Sequence, residues 1–173
     1  KPKYHHKIIG GNFRLDAIQA AVLSVKLKYL DDWSDARRNN AELYGKAFME
    51  RGLADRKGAL EFNGDNRVLL PKAVYEHLGL KNFHIYNQYV IRVRERDALR
   101  AYLKEKDVGT EIYYPLPFNR QDCFKGMRLE DSNYPFSNRA AEESLALPVY
   151  PEMKAEQIDF VVEKIREFME ASR

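Results

Sequence analysis

Residues 88–114 read QYVIRVRERDALRAYLKEKDVGTEIYY, and the change of period inside that stretch sets the fold class. Gln88 to Val93 is rich in β-branched and aromatic side chains, the composition of a strand. Ala98, Leu99, Tyr102 and Leu103 then recur at helical steps and mark one face of a helix that stops before Gly109. Thr110 to Tyr114 returns to strand composition and is closed by Pro115 and Pro117, which have no amide proton to give a ladder. Strand, helix and strand within about 27 residues make an α/β unit, with the relative direction of the strands left open. A regular second strand sends Tyr113 and Tyr114 to opposite faces of the sheet, so that one ring serves the core while the other offers its hydroxyl elsewhere.

On the N-terminal side, Leu15, Ile18, Val22, Val25 and Tyr29 recur at three- and four-residue steps, and no glycine or proline intervenes before Gly45. The pattern predicts one long helix from Leu15 to Arg51, or two joined by a bend at the polar run Asp31, Asp32, Ser34 and Asp35. Trp33, Tyr44 and Phe48 form a second apolar face, and Gly52 ends the segment. Lys57 to Asn66 reads as a surface loop, and Pro71 makes the short run Val68 to Leu70 a poor central strand. On the C-terminal side, Ile158, Val161, Val162, Ile165 and Phe168 form an apolar stripe on a helix that begins soon after Pro151. There is no internal repeat and no low-complexity segment.

The chain has 173 residues, of which 45% are hydrophobic, enough for one compact domain or a small domain with extra segments. Its net charge is +3 and no long block of one sign occurs, so a nucleic-acid partner is not implied. Lys1, Lys3 and Lys7, with His5 and His6 between them, either steer an anionic ligand to this end or form a solvated terminus. A single cysteine, Cys123, allows no internal disulfide and fits a reducing cytoplasm. No apolar run approaches the roughly 18 residues of a membrane span, and no signal-peptide pattern opens the chain. A soluble, cytoplasmic protein is expected. Because it starts at Lys1 a few residues before its most motif-like stretch, the chain reads as a fragment or a processed product.

Self-contained catalytic apparatus is not visible. Gly10-Gly11 precedes a helix but is no glycine-rich phosphate loop. His5 and His6 lack the spacing of a helical metal pair, and His77 and His84 are isolated, so no metal site is expected. Cys123 reads as a small packed residue rather than a nucleophile, and no serine elbow is present. Residue chemistry alone stops at a soluble α/β domain.

Three segments carry a resemblance. Gly11-Asn12-Phe13-Arg14-Leu15-Asp16-Ala17-Ile18-Gln19-Ala20-Ala21 resembles the Gly-x-Asn-x-Arg-(Leu/Met)-x-x-(Ile/Leu)-Gln-Ala-Ala segment of the DegT/StrS sugar aminotransferases, which are fold-type-I enzymes dependent on pyridoxal phosphate. His84 to Arg92 and Gly109 to Pro117 are similar to the small-domain strands of that family. Leu145-Ala146-Leu147-Pro148-Val149-Tyr150-Pro151 is similar to its Leu-Ser-Leu-Pro-x-x-Pro segment before the last helix. The three occur in the family's order and cover nearly the whole chain.

The resemblance implies an α/β (α+β) small domain, the C-terminal part of such an enzyme. Residues 1–30 would complete the active-site interface with a large domain that is absent from this chain, and residues 31–173 would form the small domain. It implies a homodimer in which Asn12 hydrogen-bonds the cofactor phosphate held by the partner chain, a task suited to an amide donor. Arg14, Tyr113, Tyr114, Tyr4 and His6 would face the nucleotide-linked sugar, with Lys1 to Lys7 near the diphosphate. For Arg14 the alternative is an ion pair with Asp16 or another carboxylate near the helix start, and for the two tyrosines a half-buried strand end. Tyr113 stands where many members have histidine, which favours an uncharged keto-6-deoxy sugar over a uronic acid. Phe118-Asn119 replaces a Leu-His pair, which puts that histidine's role in doubt. The Schiff-base lysine would lie outside this chain, so the isolated chain is expected to be inactive and to expose the Leu15 to Val25 stripe for self-association. Glutamate would be the amino donor of the intact transferase. The other readings are a nucleotide-sugar dehydratase of the same family, and a non-catalytic binding or dimerisation module.

Overall fold

The computed structural model describes residues 3–11, 13–55, 58–59, 61–62 and 67–171. Helix α1, Ala17–Leu27, is opened by a capping box: the Gln19 amide donates to Asp16 Oδ1 at 2.7 Å and the Asp16 amide to Gln19 Oε1 at 3.4 Å. Helix α2, Leu30–Glu50, follows after a break at Lys28 and Tyr29, before the polar run where the sequence reading puts the bend. The rings of Tyr29 and Trp33 stack across this joint at 5.7 Å. Asp31 and Asp32 therefore fall in the first turn of α2, where unpaired amides and the helix dipole favour negative charge. Gly52 closes the segment at φ +65°, a conformation that a side chain would oppose.

Strand β1, Tyr89–Arg92, and helix α3, Arg96–Glu105, lie where the periodicity predicts them. Helix α4, Pro135–Glu143, leads directly into strand β2, Ser144–Leu147, and helix α5, Ala155–Ala171, ends the fold. The two strands pair antiparallel, Tyr89 with Leu147 and Arg92 with Ser144. Single bridges extend the sheet on both sides, Leu69 to Arg92 and Glu111 to Ala146. The predicted strand Thr110–Tyr114 is therefore corrected to one bridge at Glu111; past Ile112 the chain turns away towards Pro115 and Pro117, which cannot donate to β2. The predicted loop 57–66 lies largely outside the described residues.

The core lies between the sheet and helices α2, α3 and α5. Tyr44, Phe48, Tyr89, Ile91, Leu99, Leu103, Leu145, Ile158, Val162 and Ile165 are essentially inaccessible. At about 1.5–3 kcal/mol for each large apolar side chain, these burials set the fold's stability. Helix α1 buries no residue, and Ile18 is 79% exposed. Polar atoms fix the remaining long-range geometry. From one face of α2, Arg37 Nη1, Asn40 Nδ2 and Tyr44 Oη donate to the carbonyls of Val149, Tyr150 and Pro148 at 2.9, 2.8 and 2.9 Å. The segment leaving β2 is thus fastened to α2 through three consecutive carbonyls.

Candidate functional site

After its single bridge to β2, the chain from Ile112 to Gln121 runs as a proline-rich loop against the N-terminal segment and α4. A pocket of about 470 Å³ opens between them, lined by Tyr4, His6, Tyr113, Tyr114, Leu116, Pro117, Phe118 and Gln121, with Ser137, Ala140 and Ala141 of α4. Tyr113 and Tyr114 do not face opposite ways as strand residues would, because the segment is not a strand at this point. Their rings meet edge to face at 5.7 Å, and the Tyr4 ring stands against them at 6.4 and 5.3 Å. Interplanar angles near 75° set ring edges against ring faces, the favourable quadrupole arrangement.

The N-terminal segment is placed by contacts from far along the chain. Lys3 Nζ bonds Glu111 Oε2 at 3.0 Å and lies 4.7 Å from the centre of the Tyr4 ring. The Ile112 amide and then Lys3 hold the Glu111 carboxyl below the usual carboxylate range, while Tyr4 and Glu111 push the Lys3 ammonium up. Lys3 is therefore a fixed cation. The Cys123 amide donates to the His6 carbonyl at 3.1 Å, and the buried Gln121 side chain bonds the main chain of both Tyr4 and His6.

The structure thus brings Tyr4, His6, Tyr113 and Tyr114 to one cavity. Arg14 does not line it; its side chain is exposed and makes no ion pair with Asp16, whose carboxylate caps α1 instead. Asn12 lies outside the described residues. Phe118 borders the pocket, whereas Asn119 turns away to Asp131 Oδ1 at 2.7 Å and Asn138 Oδ1 at 3.2 Å. Sequence reasoning missed Gln121 and the contribution of α4. Two of the Gln121 amide's three partners are main-chain atoms more than a hundred residues away, which no local pattern records.

A larger groove of about 750 Å³ runs between α1 and α2, lined by Leu15, Leu23, Leu27, Leu30 and Trp33 among others. Two of its polar side chains are committed: Ser34 Oγ donates to the Leu30 carbonyl at 2.8 Å, and Arg37 Nη1 to the carbonyls of Tyr86, Asn87 and Val149. By contrast, the hydroxyls of Tyr113 and Tyr114 bond no described residue, so the smaller pocket keeps donors for an oxygen-rich ligand.

A match to the DegT/DnrJ/EryC1/StrS aminotransferase family spans residues 1–166. The chain belongs to this family. It is 41% identical over 168 residues to the pleiotropic regulatory protein of Geobacillus stearothermophilus, covering 97% of this chain and 41% of that protein. Over 166 residues it is 32% identical to the dTDP-3-amino-3,6-dideoxy-α-D-galactopyranose transaminase of Aneurinibacillus thermoaerophilus, covering 96% of this chain and 40% of the relative. Among solved structures, DesV of S. venezuelae superposes with a TM-score of 0.69 at 25% identity, over 97% of this chain and 40% of DesV. The DegT/DnrJ/EryC1/StrS chain described here therefore spans about two-fifths of the length of these relatives. Its mixed architecture is part of the fold-type-I aminotransferase fold, as the sequence resemblance implies. No helix among the described residues is long and apolar enough to cross a membrane.

Proposed function

We propose that this chain is the C-terminal part of an aminotransferase, dependent on pyridoxal phosphate, that moves an amino group from glutamate to a nucleotide-linked keto-6-deoxy sugar. The sugar occupies the Tyr4, Tyr113 and Tyr114 pocket. The observation that carries this reading is the pair of phenol hydroxyls without a partner among the described residues, in a cavity about 470 Å³ in volume, on a chain of this family. Hydroxyl-rich ligands gain most where donors and acceptors are already oriented and unspent. Among the described residues the lining holds no lysine or arginine, which favours neutral sugars over uronic acids.

Pyridoxal phosphate, when bound, supplies the carbonyl that takes up and releases the amino group. The chemistry of this chain's donors fits such a group at its edge. Arg14 offers a guanidinium without an ion pair to any described residue, and Asn12 is assigned to the phosphate of the cofactor held by a second copy of the chain. No lysine lines the pocket among the described residues, and Lys3 Nζ is taken up by Glu111 Oε2 at 3.0 Å. The tether is therefore assigned to the rest of the longer protein. Residues 1–30 form the part that faces the large domain and the second copy, and residues 31–173 form the small domain. The apolar face of α1, with Ile18, Val22 and Val25 exposed, supports that division because surfaces of this kind mark interfaces.

The test uses the full-length protein with pyridoxal phosphate, dTDP-3-amino-3,6-dideoxy-α-D-galactopyranose and 2-oxoglutarate, with glutamate formation as the readout. Tyr113→Phe and Tyr114→Phe should each raise KM for the sugar nucleotide by roughly five- to tenfold, with KM for 2-oxoglutarate unchanged. Absence of glutamate with the wild-type protein counts against the reaction. Turnover with wild-type sugar KM in both variants counts against the pocket.

A further inference from the structure

Gln121 is 3% exposed, and its amide group makes three hydrogen bonds. Oε1 accepts the His6 amide proton at 3.0 Å, while Nε2 donates to the Tyr4 carbonyl at 2.9 Å and the Leu116 carbonyl at 3.4 Å. The two nearer partners lie 115 and 117 positions away, on the opposite wall of the pocket. A burial this complete is tolerated because donors and acceptor are all matched. Tyr4, held by this clamp, has φ +68°, the left-handed region that a bulky side chain avoids unless its surroundings impose it. Gln121 is in 3₁₀ contact with the loop as well: its own amide donates to the Phe118 carbonyl at 3.0 Å. One side chain therefore joins the N-terminal wall, which carries Tyr4 and His6, to the loop that carries Tyr113, Tyr114 and Leu116.

We propose that Gln121 is the positioning residue of the sugar pocket: its amide group fixes the Tyr4–His6 segment against the Tyr113–Pro117 loop, so that the three tyrosine rings present one preformed wall. This rests on the reading of that pocket as the sugar site. Gln121 acts through Tyr4 and His6, not through the reacting atoms. Its loss therefore weakens capture of the sugar without altering the chemistry at the amino group. An aromatic wall that must be ordered during binding charges its ordering cost to sugar affinity alone.

Gln121→Met keeps the side-chain volume and removes all three hydrogen bonds; Gln121→Glu, ionised, keeps the acceptor for His6 and loses both donations. In full-length protein, Gln121→Met should speed hydrogen exchange of the peptide covering residues 3–7 by about tenfold. It should also raise KM for dTDP-3-amino-3,6-dideoxy-α-D-galactopyranose by roughly tenfold, leaving kcat and KM for 2-oxoglutarate within about twofold. Gln121→Glu should show the same rise in sugar KM with a smaller change in exchange at His6, and it carries the test if Gln121→Met does not fold. Wild-type exchange and wild-type sugar KM in a folded variant overturn the proposal, because volume alone would then explain the buried glutamine. Faster exchange with unchanged sugar KM upholds the clamp and overturns the assignment of the pocket to the sugar.

Discussion

Tyr44 tests whether polar fastening or apolar packing holds the segment after β2 against α2. Its ring is fully buried, stacked 4.7 Å from Tyr89, and its hydroxyl donates to the Pro148 carbonyl at 2.9 Å. Burial pushes the phenol's pKa well above its ordinary value, so the hydroxyl remains a neutral donor throughout the accessible pH range. Tyr44→Phe removes the donor and leaves the stack, and should cost about 1–2 kcal/mol, the range for a buried hydrogen bond whose acceptor is left behind. Tyr44→Ala also opens a cavity between α2 and the sheet and should cost about 3–5 kcal/mol. For a chain of this size each kcal/mol lowers the thermal midpoint by roughly 2–4 °C. Urea unfolding followed by circular dichroism gives both values, with the slope expected to be unchanged. A Tyr44→Phe protein within about 0.3 kcal/mol of wild type would refute the reasoning, since Arg37 and Asn40 would then suffice to hold the segment.

Two further outcomes follow from the charges and from α1. Arg166 and then Arg51 bond Glu163 and depress its pKa from 4.5 to about 2, so its contribution is complete above the unfolded value and is lost as pH falls from 4.5 towards 2. Because the carboxylate is partly exposed, that contribution is at most about 1 kcal/mol; Glu163→Gln should flatten the acid limb of urea midpoint against pH by no more than this, and an unchanged limb would remove Glu163 as its source. Ile18→Gln with Val22→Gln should leave stability within about 0.5 kcal/mol, because α1 buries nothing in the fold. The same pair should reduce self-association in sedimentation velocity, and a large loss of stability would show that α1 packs into the core after all.

The sequence reveals elements whose burial is one-sided. Leu99 and Leu103 of α3, and the stripe from Ile158 to Ile165 of α5, keep one face in the core and so print a helical period. β1 does the same with period two, alternating buried and half-buried residues. β2 is buried at all four positions and has no alternation to read, so it passed only as part of a motif. Thr110 to Tyr114 has strand composition yet forms one bridge, because pairing depends on what lies opposite as well as on propensity. The reading that the two tyrosines point apart failed with the strand it assumed. Tyr4 was named through family resemblance alone, and His6 through it and the basic cluster at the start of the chain. Their place beside Tyr113 depends on Gln121 and Glu111, whose partners are separated from them by more than a hundred residues.

The two cavities show why volume is a poor guide to function in this chain. The larger groove between α1 and α2 is bordered by Arg37, but that guanidinium is spent on main-chain carbonyls that hold the fold together. A ligand that used Arg37 there would have to compete with the segment after β2 for the same donor, at a cost in stability of the kind Tyr44→Phe measures. In the smaller pocket the division of labour is reversed. Gln121 and Lys3 satisfy the main chain and the Glu111 carboxylate, and by doing so they leave Tyr113 and Tyr114 with hydroxyls that no described residue takes up. Structural demands are met by residues behind the wall, while the wall itself remains open to ligand. That separation lets recognition be altered at the tyrosines without unfolding the chain, and it makes the smaller cavity the better candidate for an oxygen-rich substrate.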